Sequence, residues 1–249
     1  MGAGLLREFK KTRAYRNVNR PMGKALAAYD MISEGDRIAV GISGGSDSLS
    51  LMALLHERMS RAPVRYELFG VHIDLGFGGD ESAAIEDFFQ KKGLCLRVEK
   101  TDYGPLAHGP ENRENPCFLC ARLRRKRMFE AADALDCGKI ALGHNRDDFI
   151  ETFFLNMFYA GDMRAMPPSQ SFFDGKFTVI RPFAFTEKRA ILRFSKRMEF
   201  PDIQNPCPSA SNSKRLEIRR MLADFHSEND KITGNIFRAM RRPSTGPFL

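Results

Sequence analysis

Two short segments of this 249-residue chain carry residue types whose spacing can do chemistry. The first is Ser43-Gly44-Gly45-Ser46-Asp47-Ser48, set between an apolar run at 37–42 and a helical pattern at 49–59. Its two glycines let a backbone approach a ligand closely, and the N–H groups that open the following helix point at it. The hydroxyls of Ser43 and Ser48 add donors, and Asp47 is suited to holding Mg²⁺ or orienting the loop. The carboxyl end of a first parallel strand is where a nucleotide crevice is expected. No Gly-Lys-Ser/Thr closes the segment, so it is not a Walker loop. A tight strand–helix turn would account for the glycines as well.

The second segment is Cys117-Phe118-Leu119-Cys120, after the turn pair Asn115-Pro116 and before the basic run Arg122, Arg124, Arg125, Lys126 and Arg127. Five cysteines in a chain without an export signal imply reduced thiols rather than a disulfide scaffold. Cys207, framed by Pro206 and Pro208, is the one plausible third partner for Cys117 and Cys120. Cys95 and Cys137, in or beside apolar runs, are expected to be small buried hydrophobes. Three thiolates leave one metal position open, and on an iron–sulfur cluster an iron without a protein ligand can bind a non-protein sulfur. A zinc site completed by His144 or Cys137, or a redox C-x-x-C pair, are the alternatives.

These segments need a scaffold. Apolar runs at 37–42, 66–73, 94–98, 139–142 and 178–180 are predicted strands, and the periodicity predicts helices at 49–59, 81–92, 121–135 and 149–159. Strands alternating with helices of this length imply an α/β fold around a doubly wound, mostly parallel sheet. The organisation expected is a basic arm at 1–20, one main domain at 21–210 and a basic helical tail at 211–249. With 43% hydrophobic residues, 21 Phe and no apolar run long enough to span a bilayer, the chain is expected to be globular, cytoplasmic and without a membrane partner. Its net charge of +8 is clustered at 1–20, at 122–127 and around Lys214, Arg215, Arg219 and Arg220, as a binder of phosphate backbones requires.

Taken in order, the 43–48 segment, Cys117-x-x-Cys120-Ala-Arg-Leu-Arg-Arg, Ile140-Ala-Leu-Gly-His-Asn-Arg-Asp-Asp148, Phe154 to Gly161, Met166-Pro-Pro168, Ile180-Arg-Pro182 and Cys207 resemble one family. It is the TtcA-like tRNA 2-thiocytidine synthetases, a branch of the PP-loop tRNA thiolases. The resemblance implies an adenine-nucleotide α-hydrolase-like fold and an ATP pyrophosphatase that adenylates a tRNA base, the cytidine at position 32, and replaces its 2-oxygen with sulfur. It implies Cys117, Cys120 and Cys207 as ligands of a 4Fe–4S cluster, and Ser43, Gly44, Gly45, Ser46, Asp47 and Ser48 as the pyrophosphate cradle. His72, Ile73, Asp74, Gly143 and His144 are implied at the adenosine end. Asp148, with Asp147 beside it, is implied for general acid/base work and Arg124 as a substrate-facing cation. Helix capping would also explain one of the two aspartates, and packing would explain His144.

ATP, Mg²⁺, tRNA and a cysteine-desulfurase-type sulfur donor are the implied partners, with a homodimer admitted. The chain departs from the pattern at Ser46, where the family usually has Lys, at Asn145 for a second His, and at the single Cys207 for a doublet. A uridine thiolase, a lysidine-type ligase or a zinc-stabilised RNA-binding protein are the readings that compete.

Overall fold

The computed structural model describes residues 10, 12–204, 206–211 and 213–241. Residues 1–9 and 11 of the expected arm, 205, and 212 and 242–249 of the expected tail lie outside them. The chain divides into two compact units, one of residues 1–145 and 168–210, the other of 146–167 and 211–249. The sequence reading had drawn its boundaries at 20 and 210. Instead, α1 (Arg13–Ala28) runs through residue 20 as one helix, its start capped by the Thr12 hydroxyl accepting from the Tyr15 N–H. The segment 146–167 belongs with the tail.

The first unit is built on a six-stranded sheet: β1 (Asp36–Ile42), β2 (Tyr66–Asp74), β3 (Leu96–Lys100), β4 (Lys139–Ala141), β5 (Ser169–Phe172) and β6 (Phe177–Ile180), in the order β3-β2-β1-β4-β6-β5. Every pairing is parallel except β5 with β6, an antiparallel hairpin edge that the sequence reading did not contain. Its turn runs through Phe173, Asp174 and Gly175, all at positive φ. The buried strand β1, with Ile38, Ala39 and Val40 fully enclosed, sits at the centre, as a near-continuous apolar run demands. Helices α2 (Ser46–Met59), α3 (Glu81–Lys92), α4 (Tyr103–His108), α5 (Pro116–Asp133) and α7 (Lys188–Ser195) complete the unit.

Two boundaries moved for identifiable reasons. Helix α5 starts at 116 rather than near 121, because the Asn115 side chain accepts from the N–H groups of Cys117 and Phe118 at 3.0 and 3.3 Å, with Pro116 at the first helical position. Cys117 and Cys120 therefore lie in a helix, not in the turn before it. Strand β3 starts at 96 rather than 94, because Gly93 (φ 63°) and Leu94 close α3 by donating to Gln90 and Phe89 carbonyls. Cys95 thus falls in the connection and is exposed, correcting its expected burial, whereas Cys137 is buried beside Phe129 and Ile140 as expected.

The second unit consists of α6 (Arg146–Leu155), running into a π-helical turn at Asn156–Ala160, and α8 (Lys214–Glu228) and α9 (Ile232–Met240). The sequence placed one helix at 149–159; it starts earlier and its last turn is widened. Ile150, Ile218 and Leu222 form its buried centre, flanked by Phe154, Ile236 and Phe237.

One polar network ties α1 to α2. The Glu57 carboxylate, 2% exposed, accepts from Tyr15 Oη at 2.6 Å and from Arg61 at 2.9 and 3.0 Å, and meets Lys10 Nζ at 2.8 Å. Burial alone would raise the Glu57 pKa, but hydrogen bonds from Arg61, Lys10 and Tyr15 outweigh it and hold the carboxyl at about 2. A depressed carboxylate stabilises the fold above its unfolded pKa, near 4.5, and that contribution drains away as pH falls towards 2. Glu57→Gln is expected to cost roughly 3 kcal/mol at pH 7 in urea unfolding. It should also flatten the acid limb of stability between pH 4.5 and 2; an unchanged limb would remove Glu57 from this role.

Candidate functional site

The 43–48 turn sits where β1 hands over to α2. Gly44 adopts φ +77°, and Gly45 caps the helix with no side-chain hydrogen bond, leaving the first-turn N–H groups to an external acceptor. A Cβ on Gly44 would stand 2.8 Å from Ile203 Cγ2, so the segment leading to Cys207 lies directly on the turn. Ser48 is buried, and its hydroxyl accepts from the Ser43 N–H at 3.1 Å and donates to the Gly45 carbonyl at 3.0 Å. In this structure the hydroxyl closes the turn on itself. Ser43, by contrast, is exposed.

Asp47 occupies the first turn of α2, and its Oδ2 accepts from Lys188 Nζ at 2.7 Å and from Asn145 Nδ2 at 3.3 Å. Its Oδ1 is buried without a hydrogen-bond partner among the described residues. An orphaned carboxylate oxygen at a phosphate-binding turn fits a hard divalent cation such as Mg²⁺. Lys188, the first residue of α7, also lies 3.4 Å from Ser46 Oγ. The sequence reading missed this lysine. The signal was present as an imbalance: a phosphate turn with Ser46 and Asp47 but no cation of its own needs one from elsewhere in the chain.

The rest of the cradle comes from neighbouring strand ends. His72 and Ile42 are register partners at the ends of β2 and β1, and His72 Nδ1 donates to the Ile42 carbonyl at 2.8 Å. The other ring nitrogen stands 3.1 Å from Ser82 Oγ, which donates to Asp74 Oδ2 at 2.7 Å. Burial would raise the Asp74 pKa; the Gly76 N–H and the Ser82 hydroxyl lower it below the usual carboxylate range. His72 and Asp74 therefore hold the β2 end rigid, and Ile73 lies between them. Beyond β4, Gly143 abuts the α2 start so closely that a Cβ would meet Asp47 and Ser48 backbone at 3.1 Å, and His144 follows it, partly buried. At the end of β6, burial, with Arg125 adding to it, lowers the Arg181 guanidinium to about 10.

Cys117 is exposed, and Cys120 and Cys207 are half-buried. Burial raises the Cys120 thiol, Arg124 lowers it, and Cys207 and Cys117 each raise it, so the four groups share one neighbourhood. The 207 segment is held by Ile203 against Gly44 and by His108 Nε2, 2.9 Å from Ser209 Oγ. Among the described residues no three His, Cys, Asp or Glu side chains converge on a single metal ion. A zinc site through His144 or Cys137 gains no geometric support, and Cys137 is walled into the core. Three soft thiols without a fourth suit a cluster with one unligated iron.

In the second unit, Asp147 and Asp148 lie in the first turn of α6. Asp148 Oδ1 is 3.8 Å from Arg215, which also reaches Glu151 at 3.4 Å; Arg219 binds Glu151 at 2.7 Å. No helix among the described residues is long and apolar enough to cross a membrane.

Comparison with known proteins accords with this arrangement. A PP-loop domain model matches residues 12–225. A tRNA-cytidine(32) 2-sulfurtransferase of Geotalea daltonii is 38% identical over 230 residues, 91% of each chain. One from Geobacter sulfurreducens is 36% identical over 94% of this chain and 92% of its own. The U34-tRNA thiolase NcsA of Methanococcus maripaludis, solved with its [4Fe-4S] cluster, shares the fold at a TM-score of 0.76 and 23% identity, over 92% of this chain and 78% of that one. An NH3-dependent NAD synthetase of Campylobacter jejuni shares it at 0.52, with 12% identity over 95% of this chain and all of that one. A phosphate turn fed by a distant lysine, three thiols that share one neighbourhood and likeness along nine-tenths of the chain converge: the chain belongs to the PP-loop ATP pyrophosphatase family, in the branch of the tRNA-cytidine 2-sulfurtransferases.

Proposed function

We propose that the protein is a cytoplasmic, ATP-dependent sulfurtransferase that converts cytidine 32 of tRNA to 2-thiocytidine. The observation that carries this reading is the packing of the Cys207 segment on the phosphate turn through Ile203 and Gly44, which joins nucleotide activation to a thiol set. The N–H groups opening α2 take the phosphate oxygens, Lys188 offsets their charge, and Asp47 would hold Mg²⁺. The cytidine O2 attacks the α-phosphorus and pyrophosphate departs. A thiol reductant releases the sulfane sulfur of a cysteine-desulfurase-type donor as hydrosulfide and is itself oxidised to a disulfide; the hydrosulfide then attacks C2, gives up its proton, and AMP leaves with the former base oxygen.

Cys117, Cys120 and Cys207 would hold a 4Fe–4S cluster, which when bound offers an iron for that sulfur. Asp148, with Asp147 beside it, accepts the proton the sulfur brings, and Arg215 stands 3.8 Å from the Asp148 Oδ1. Arg124, beside Cys120, offsets negative charge at the displacement. An unpaired anticodon-loop base suits such a site, since a duplex base would first have to be flipped out.

Mass spectrometry of tRNA nucleosides from cells with and without the gene tests the reading. Loss of 2-thiocytidine alone is expected; loss of a thiouridine would reassign the base, and no change would sink the reading. In the purified protein, Cys207→Ser should abolish thiolation while tRNA-dependent pyrophosphate release persists. Full thiolation by that variant would remove Cys207 from the site. Lys188→Ala should weaken ATP binding about tenfold by calorimetry, the worth of one charge-assisted hydrogen bond. Adding Ser46→Lys to that variant should restore it; unchanged affinity in the single variant would sink the assignment of Lys188.

A further inference from the structure

Phe118 stands between Cys117 and Cys120 and is 63% exposed, an unusual place to leave a large apolar ring. The Asn115 side chain fixes its backbone by accepting from the Phe118 N–H, so the ring projects from the rigid first turn of α5. One helical turn on, the Arg122 guanidinium lies 5.7 Å from the ring centroid, held from the other side by Glu114 at 3.3 Å. Arg125 and Lys126 continue the same exposed face of the helix. An aromatic face with a cation against it and further cations along one line is the chemistry that holds single-stranded nucleic acid. The ring takes the flat base while the cations take the backbone.

We propose that Phe118 and Arg122 form a stacking platform for an unpaired base of the tRNA anticodon loop, seated beside the thiols of α5. The proposal rests on tRNA being the substrate, and it adds the residue that presents the base. Aliphatic side chains bury as well against a protein partner as an aromatic ring does, but only a π face stacks on a base. Phe118→Leu and Phe118→Trp therefore separate the two.

The test uses the full chain and an anticodon stem–loop RNA carrying 2-aminopurine in the loop, with a blunt duplex of the same stem as control. Stacking contributes about 1–3 kcal/mol per base, or roughly 5- to 150-fold in affinity. Phe118→Ala and Phe118→Leu should lose that much stem–loop affinity and the quenching of 2-aminopurine. Phe118→Trp should keep both, and duplex binding, ATP binding and iron–sulfur absorbance should stay at wild-type levels throughout. Wild-type affinity and quenching in Phe118→Leu, or equal losses on stem–loop and duplex, would overturn the platform. A wild-type protein that binds no stem–loop RNA would overturn the tRNA reading itself.

Discussion

The ion pair between Lys188 and Asp47 holds the first unit to its purpose. A helix start that presents bare N–H groups attracts anions, and a carboxylate in that same first turn would repel them. Lys188, 141 residues away in sequence, cancels the carboxylate at 2.7 Å and brings its ammonium to the side of the turn where Ser46 leaves a vacancy of charge. The half-exposed pair is worth little as a stabilising contact on its own. Its importance is positional, because it fixes α7 against the turn and so sets which cation faces the phosphates.

That pair acts within a parallel sheet whose strand ends all serve the same edge. The turn after β1, the His72–Ser82–Asp74 chain after β2, Gly143 after β4 and Arg181 after β6 each occupy the carboxyl end of their strand. Parallel pairing makes this possible, since it sends every following loop to one side. The thiols are held by a different device. Cys117 and Cys120 ride on a capped helix start, whereas Cys207 lies in an irregular segment pinned at Ile203 and Ser209.

The nature of the fold could be read from the chain because its signals are local. Alternating apolar runs and helical periods placed β1, β2, α2 and α3 close to where they form, and the Gly93 stop lies where the pattern put it. The errors arose where capping chemistry outranks periodicity, at Asn115-Pro116 and at Gly93-Leu94. Strand β6 was legible at 178–180, but its hairpin partner β5 was not, because it is only four residues long and their turn has two non-glycine residues at positive φ. The phosphate turn and the three thiols were legible from residue types alone. Lys188 was not, because only folding brings a helix start to a turn far upstream, and the inward turn of Ser48 follows from packing that no spacing reveals.

The contact between Gly44 and Ile203 also limits how such a sequence can drift. With 2.8 Å between a notional Cβ and the isoleucine methyl, neither position can enlarge unless the other shrinks. Gly44 is further tied by its left-handed backbone, so the burden of accommodation falls on residue 203. Displacement of the turn by an arriving nucleotide would be passed through that contact to the backbone carrying Cys207. Residue 203 is thus the position at which inherited variation meets the turn first.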